Sequence, residues 1–145
     1  MQVVGSVTKE ISGIMPERIF ALWADINNWD KFNNGIEWAK LEGDFAAGNY
    51  FVMGLKNKKS VKIKIHEVVK NKKFVDLTVF PLAKMYGEHE IVEKDGRTFL
   101  THAIKIDDLL SPLWRKLVAN RVADKLEEDM DLMIGLAIDG KQHGI

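Results

Sequence analysis

The sequence predicts an α+β fold: a curved, seven-stranded antiparallel sheet around a long C-terminal helix, with two short helices after the first strand. Three observations carry this. Ser111 to Ile138 reads as one helix of about seven turns, with nothing to break it between Pro112 and Gly135. Most of the chain before it alternates in polarity between turn-forming residues, as strands do. Only two short helical segments stand among those strands, too few to cover a sheet face. The sheet must therefore curl, and the long helix must fill its concave side.

Taken in order, Val3 to Ser12 is a first strand of mixed polarity. Pro16 opens a short helix to Ala24 carrying Ile19, Phe20 and Trp23, and Asn27 is expected to cap a second with Trp29 and Phe32. Asn33-Asn34-Gly35 is a turn signal. Ile36, Trp38 and Leu41 alternate crudely as a strand, Gly43 to Gly48 is a loop, and Tyr50 to Leu55 is the next strand. Lys56 to Lys59 forms a solvated hairpin loop. Ser60 to Val69 alternates cleanly, with Val61, Ile63 and Ile65 on one face and Lys62, Lys64 and His66 on the other. Asn71-Lys72 turns the chain, Phe74 to Phe80 returns, and Pro81 ends that strand. Lys84 to Glu93 and Arg97 to Asp107 form the last hairpin.

Ser111 is expected to cap the long helix, because its hydroxyl can accept from an orphan N–H, with Pro112 at the first helical position. At about 100° per residue, Val118, Ala119, Val122, Leu126, Met130, Met133, Leu136 and Ala137 share one side. Lys116, Asn120, Asp124, Glu127, Glu128 and Asp131 share the other.

The chain of 145 residues is long enough for one domain with a sizeable core, and neither repeats nor a long linker divide residues 1–145. Formal charge is zero, which argues against nucleic acid as a partner, since phosphate binding needs a basic excess. Cysteine is absent, which excludes disulfides and thiolate chemistry. No apolar run approaches the ~20 residues of a transmembrane span, and Met1 to Gly5 has no signal-peptide pattern, so a cytoplasmic protein is expected.

The last hairpin holds the residues best placed for chemistry. Asp95-Gly96 is a preferred central pair of a type I′ turn. With that turn, Ile91 faces Leu100, His89 faces His102, Gly87 faces Ile104 and Met85 faces Ile106. This is the apolar face, so it should point at the helix, with the two histidines directly opposed. An inward histidine is commonly a hydrogen-bonded core residue. Two opposed on a concave face also suit a ligand site, or a general acid or base. No third metal ligand stands at fitting spacing, so neither a metal nor a cofactor is expected.

Asp129 lies between Leu126 and Met133 in projection, where a carboxylate must find a donor or rise in pKa. Its partner is either a histidine or, more simply, Lys125 one turn earlier. Trp23, Trp29 and Trp38 read as core and helix-to-sheet packing. Trp114 stands between Leu113 and Leu117, off the main stripe. That apolar surface is either covered by Leu109, Leu110 and nearby loops, or is a cavity mouth or a homodimer contact. The lysines at the hairpin turns read as a solvated rim.

A run of short motifs carries a family resemblance. Ile19-Phe20-Ala21-Leu22-Trp23-Ala24-Asp25-Ile26 with Trp29 comes first, then Ala39-Lys40-Leu41-Glu42-Gly43-Asp44-Phe45 with Gly48. Ile65-His66-Glu67-Val68, Glu88-His89-Glu90, Thr101-His102 and Leu110-Ser111-Pro112-Leu113 follow in order. Over nearly its whole length the chain resembles the START-related helix-grip (SRPBCC) superfamily, and in particular its bacterial polyketide cyclase/dehydrase-like branch. The resemblance implies a hydrophobic small-molecule ligand, lipid-like or polycyclic, and in some members cyclisation or dehydration. The family has no universal catalytic motif, so no catalytic residue is carried over.

The expected function is binding of a hydrophobic or amphipathic small molecule between sheet and helix. The alternatives are a cyclase or dehydratase using His89 or His102 as acid/base with Asp129 orienting it, and a protein-interaction module using Leu113, Trp114 and Leu117. The expected walls are Ile63, Ile65, Met85, Ile104 and Ile106 from the sheet and Val122, Leu126, Met130 and Met133 from the helix, with Trp114 at one end. His89, His102 and Asp129 are the expected polar groups.

Overall fold

A computed structural model describes residues 2–142, with side chains through Ile138. Seven strands form one antiparallel sheet in the order β1-β7-β6-β5-β4-β3-β2. They are β1 (Gln2–Glu10), β2 (Ile36–Glu42), β3 (Tyr50–Leu55), β4 (Ser60–Val69), β5 (Lys73–Phe80), β6 (Ala83–Lys94) and β7 (Arg97–Asp107). From β2 onward each strand pairs with its successor through a short connection. The N-terminal strand instead closes on the last one, with Val7 opposite His102. Between β1 and β2 stand α1 (Pro16–Ala24) and a 3-10 helix (Ile26–Lys31).

Pro at the start of α1 loses no hydrogen bond there. Ile19 and Trp23, four residues apart, bury the same face of the helix. Asn27 is not the cap of the next helix. It lies inside the 3-10 turn, and its carboxamide oxygen accepts from the Leu41 N–H, tying that turn to β2. Trp38 is a second departure from the sequence reading. A bulge between Ile36 and Trp38 turns its indole away from the core, 46 % exposed, with the ring laid over Gly54.

The final helix crosses the concave side as expected, but it is not uniform. It runs as α2 (Ser111–Trp114), a π turn (Arg115–Ala119), α3 (Asn120–Asp124) and α4 (Leu126–Gln142). Leu110 occupies the cap position and makes no side-chain cap bond, so Ser111 is the first helical residue rather than the cap. At Lys125 (φ −96°, ψ −5°) the hydrogen bond tightens to Val122, three residues back. The wide turn and the tight one re-aim the helix so that Ala119, Leu126, Met130, Met133 and Ala137 all stay buried.

Where the helix meets β1, the backbones approach closely. A Cβ on Gly5 would stand 2.8 Å from that of Ala123. Lys9 on the same strand pairs with Asp131 and, at 3.5 Å, with Glu127 on the helix's outer flank. Asn34 donates to Glu128 at 2.7 Å, which fixes the other flank to the loop before β2. Among the described residues, no helix is long and apolar enough to cross a membrane.

Candidate functional site

The site is built on the middle of the sheet. Asp95 and Gly96 both take positive φ (54° and 77°), the conformation of a type I′ turn. The hairpin therefore has the expected register: Met85 opposite Ile106, Gly87 opposite Ile104, His89 opposite His102 and Ile91 opposite Leu100. These side chains face the helix together with Ile63 and Ile65 of β4. All are buried except His89, which is half-buried.

The buried apolar side chains fall into two clusters. One joins Ile63, Ile65, Phe74, Ile91 and Leu100 to Trp23 of α1 and to Met130 and Met133 of α4. The other joins Met85, Ile104 and Ile106 to Ala119 and Leu126, with Phe80, Trp114 and Val122 packed against it. Polar side chains of the sheet sit among these two clusters.

His89 and His102 meet edge to face, with ring centroids 4.6 Å apart. His89 also stacks on Phe74 at 4.7 Å, and the Trp23 indole stands 5.8 Å from His89 and 6.5 Å from His102. His89 Nδ1 lies 3.0 Å from the Phe74 carbonyl oxygen. A carbonyl only accepts, so Nδ1 carries the proton and Nε2 presents a lone pair. His102 is 7 % exposed, and its Nε2 has no hydrogen-bond partner; nor does Trp23 Nε1. Burial pushes the His89 pKa down to about 4. Burial, with the neighbouring His89, holds His102 well below the ordinary histidine value. Both rings are neutral at physiological pH, which makes them hydrogen-bonding groups rather than ready proton donors.

Sequence reasoning missed Asp76. It pairs with Ile65 on one side and Gly87 on the other, which places it on the helix-facing side of β5 with Phe74 and the buried Thr78. Its carboxyl lies directly over Gly87, where a Cβ would stand 2.6 Å from an oxygen. Burial pushes its pKa up to about 7, opposed by a hydrogen bond from the Gly87 backbone. Alternation groups Asp76 with Phe74, Thr78 and Phe80, but the strand is apolar on both faces, so alternation alone does not say which face is inner. Asp76 and His89 are both half-buried on this face.

Asp129 is half-buried at the edge of the stripe. Burial, then Glu128, pushes its pKa up to about 6, while the positive charge of Lys125 opposes the rise. The charges that act on Asp129 are thus those of Glu128 and Lys125, and neither histidine is among them. Trp114 stacks on Phe80 at 4.6 Å and donates from Nε1 to the Pro81 carbonyl at 2.9 Å. It closes one end of the second cluster, while Leu109, Leu113 and Leu117 around it are exposed. Surface recesses beside Asn71, Lys72 and Ile91, and beside Lys94, Asp95 and Phe99, lie at hairpin ends away from this site. Among the described residues, no group of three His, Asp or Glu side chains could hold a metal ion.

This arrangement of sheet, short helices and final helix recurs in solved structures. A START superfamily protein from Mycobacterium smegmatis superposes with a TM-score of 0.66 at 14% identity, covering 92% of this chain and 96% of that one. The fold is the helix grip seen in that START superfamily protein. Ara h 8.0201 shares it, with a TM-score of 0.67 at 16% identity over 92% of this chain and 96% of that one. So does a hypothetical protein from Helicobacter pylori, with a TM-score of 0.69 at 11% identity over 91% and 86%. No protein-family model matches the sequence, and no curated protein does either. In a helix grip the final helix and the concave sheet face each other across the interior, which is where Asp76, His89 and His102 stand.

Proposed function

We propose that the chain is a single ligand-binding domain that holds a hydrophobic or amphipathic small molecule between the sheet and the final helix. The observation that carries this reading is the pair of unpartnered buried atoms, His102 Nε2 and Trp23 Nε1, in an otherwise apolar lining. A buried polar atom without a partner costs about 1–3 kcal/mol. A protein that keeps two, one on α1 and one on β7 with ring centroids 6.5 Å apart, gains if a ligand or a water satisfies them. Met130 and Met133 are the side chains that would yield to a guest. Both are fully buried against the sheet, and an unbranched thioether side chain can repack around a guest of irregular shape. Ligand binding is also the role that the START resemblance supports.

A second reading, a cyclase- or dehydratase-type enzyme, draws on Asp76. The histidines are too weakly basic to serve as acids at neutral pH, whereas Asp76 titrates near 7 beside them. General acid–base catalysis on this scaffold would therefore run through Asp76.

A thermal-melt panel of apolar ring and chain compounds, with native mass spectrometry of the purified protein, tests the binding reading. A ligand at 100 times its dissociation constant adds ~2.7 kcal/mol of stability, which raises the melting temperature by roughly 5–10 °C for a domain of this size. A co-purified apolar molecule or such a shift is the expected result. A panel with no shift and no bound mass would defeat the reading and favour the exposed Leu113 and Leu117 surface as a protein contact.

A further inference from the structure

The polar groups of the interior differ in what they offer a guest. Trp23 Nε1 is a donor only. His89 Nε2 is an acceptor only, because Nδ1 holds the proton against the Phe74 carbonyl. His102 Nε2 is buried and unpartnered and can serve as either. The Asp76 carboxyl, laid over Gly87, brings a site for negative charge, and no described Lys or Arg forms an ion pair with it.

We propose that this polar belt is built for the hydroxyl of an otherwise apolar alcohol or phenol and rejects the matching carboxylate, an inference that rests on the ligand-binding reading above. A hydroxyl is the smallest neutral group that both donates and accepts. It can accept from Trp23 Nε1 while donating to His89 Nε2 or to Asp76. A carboxylate has acceptors alone, so it would set its charge against Asp76 and against the His89 lone pair with only the indole N–H to meet it. A bare hydrocarbon leaves every polar group as it was. The aromatic walls around the belt, Trp23, Phe74, Phe45 and Phe20, whose neighbouring ring centroids lie 4.9–6.4 Å apart, favour a flat ring system over a chain.

Isothermal titration of the full chain at pH 8 with 2-naphthol, 2-naphthoate and naphthalene decides the matter, because the three share one skeleton. The expected order is naphthol first, naphthalene next and naphthoate last, with naphthol at least about tenfold tighter than naphthoate, the size of one or two hydrogen bonds gained or one buried charge opposed. Asp76→Asn should improve naphthoate binding by several-fold and leave naphthalene unchanged. Trp23→Phe, which keeps the ring and removes the N–H, should weaken naphthol by several-fold and spare naphthalene. Should Trp23→Phe melt before it can be titrated, the Asp76→Asn comparison stands by itself. Naphthoate binding as tightly as naphthol, or an Asp76→Asn protein with the same gap between them, would overturn the inference while leaving ligand binding intact. Failure of all three to bind, with no change in melting temperature, would remove the binding reading and this inference together.

Discussion

Replacing Asp76 by Asn should stabilise the protein at alkaline pH and leave it nearly unchanged at acid pH. The folded carboxyl has a pKa of about 7 against the ordinary 3.8 of an unfolded chain. Below 3.8 both states carry the proton, and the group contributes no pH dependence. Between the two values the unfolded chain releases its proton while the folded one keeps it, so stability falls as pH rises, by about 1.4 kcal/mol per pH unit. Above about 7 the loss is complete and levels off. Three pH units set a ceiling of about 4 kcal/mol, and the accessible part of the carboxyl reduces this to about 2 kcal/mol. Asn keeps the shape and an acceptor for the Gly87 N–H, and it has no charge to bury. His89 and His102 act in the opposite sense: their contribution is complete above 6.5 and is lost as pH falls through that value toward their lowered folded pKa values. They and Asp129 are common to both proteins and cancel in the difference. Urea unfolding at pH 4 and pH 8.5 measures that difference. A gap that grows by about 2 kcal/mol toward alkaline pH is the expected result. A gap that is constant, or that favours Asp76 at high pH, would show the carboxylate to be solvated or paired and would refute its placement on the concave face.

Met130 is fully buried between α4 and the sheet, so Met130→Ala should cost about 2–5 kcal/mol in urea unfolding. Gly87→Ala would put a Cβ 2.6–2.9 Å from the Asp76 carboxyl; it should destabilise the fold by about 1–3 kcal/mol, with the loss diminished in the Asp76→Gly background. His89→Leu removes a polar anchor and keeps apolar volume, so titration should show weaker binding of 2-naphthol and equal or tighter binding of naphthalene.

The sheet was legible because its signals are local. Clean alternation at Val61, Ile63 and Ile65 set one face, and Asp95-Gly96 set a register that carried His89 to His102. Three features were not legible, each for a stated reason. The π turn at Arg115–Ala119 and the tight turn at Lys125 involve neither Gly nor Pro, so the periodicity gave no sign of them. Trp38 changes face through a bulge that its alternation alone does not reveal. Asp76 sits in a strand with apolar residues on both faces, and its side was decided only by pairing with Ile65 and Gly87. His89 and His102 are opposed in the register that Asp95-Gly96 set, and Ile63, Ile65, Met85, Ile104 and Ile106 are buried. Asp129 does not join them, because the Lys125 turn leaves it at the edge of the stripe beside that lysine.

Intermolecular NOEs from the side-chain methyl groups report whether a small apolar molecule lies between the concave sheet and the final helix. With 2-naphthol bound, NOEs are expected to the Met130 and Met133 methyls and to those of Ile63 and Ile65, which share one buried cluster with Trp23 and Phe74. NOEs confined to the exposed Leu113 and Leu117 methyls would contradict that placement.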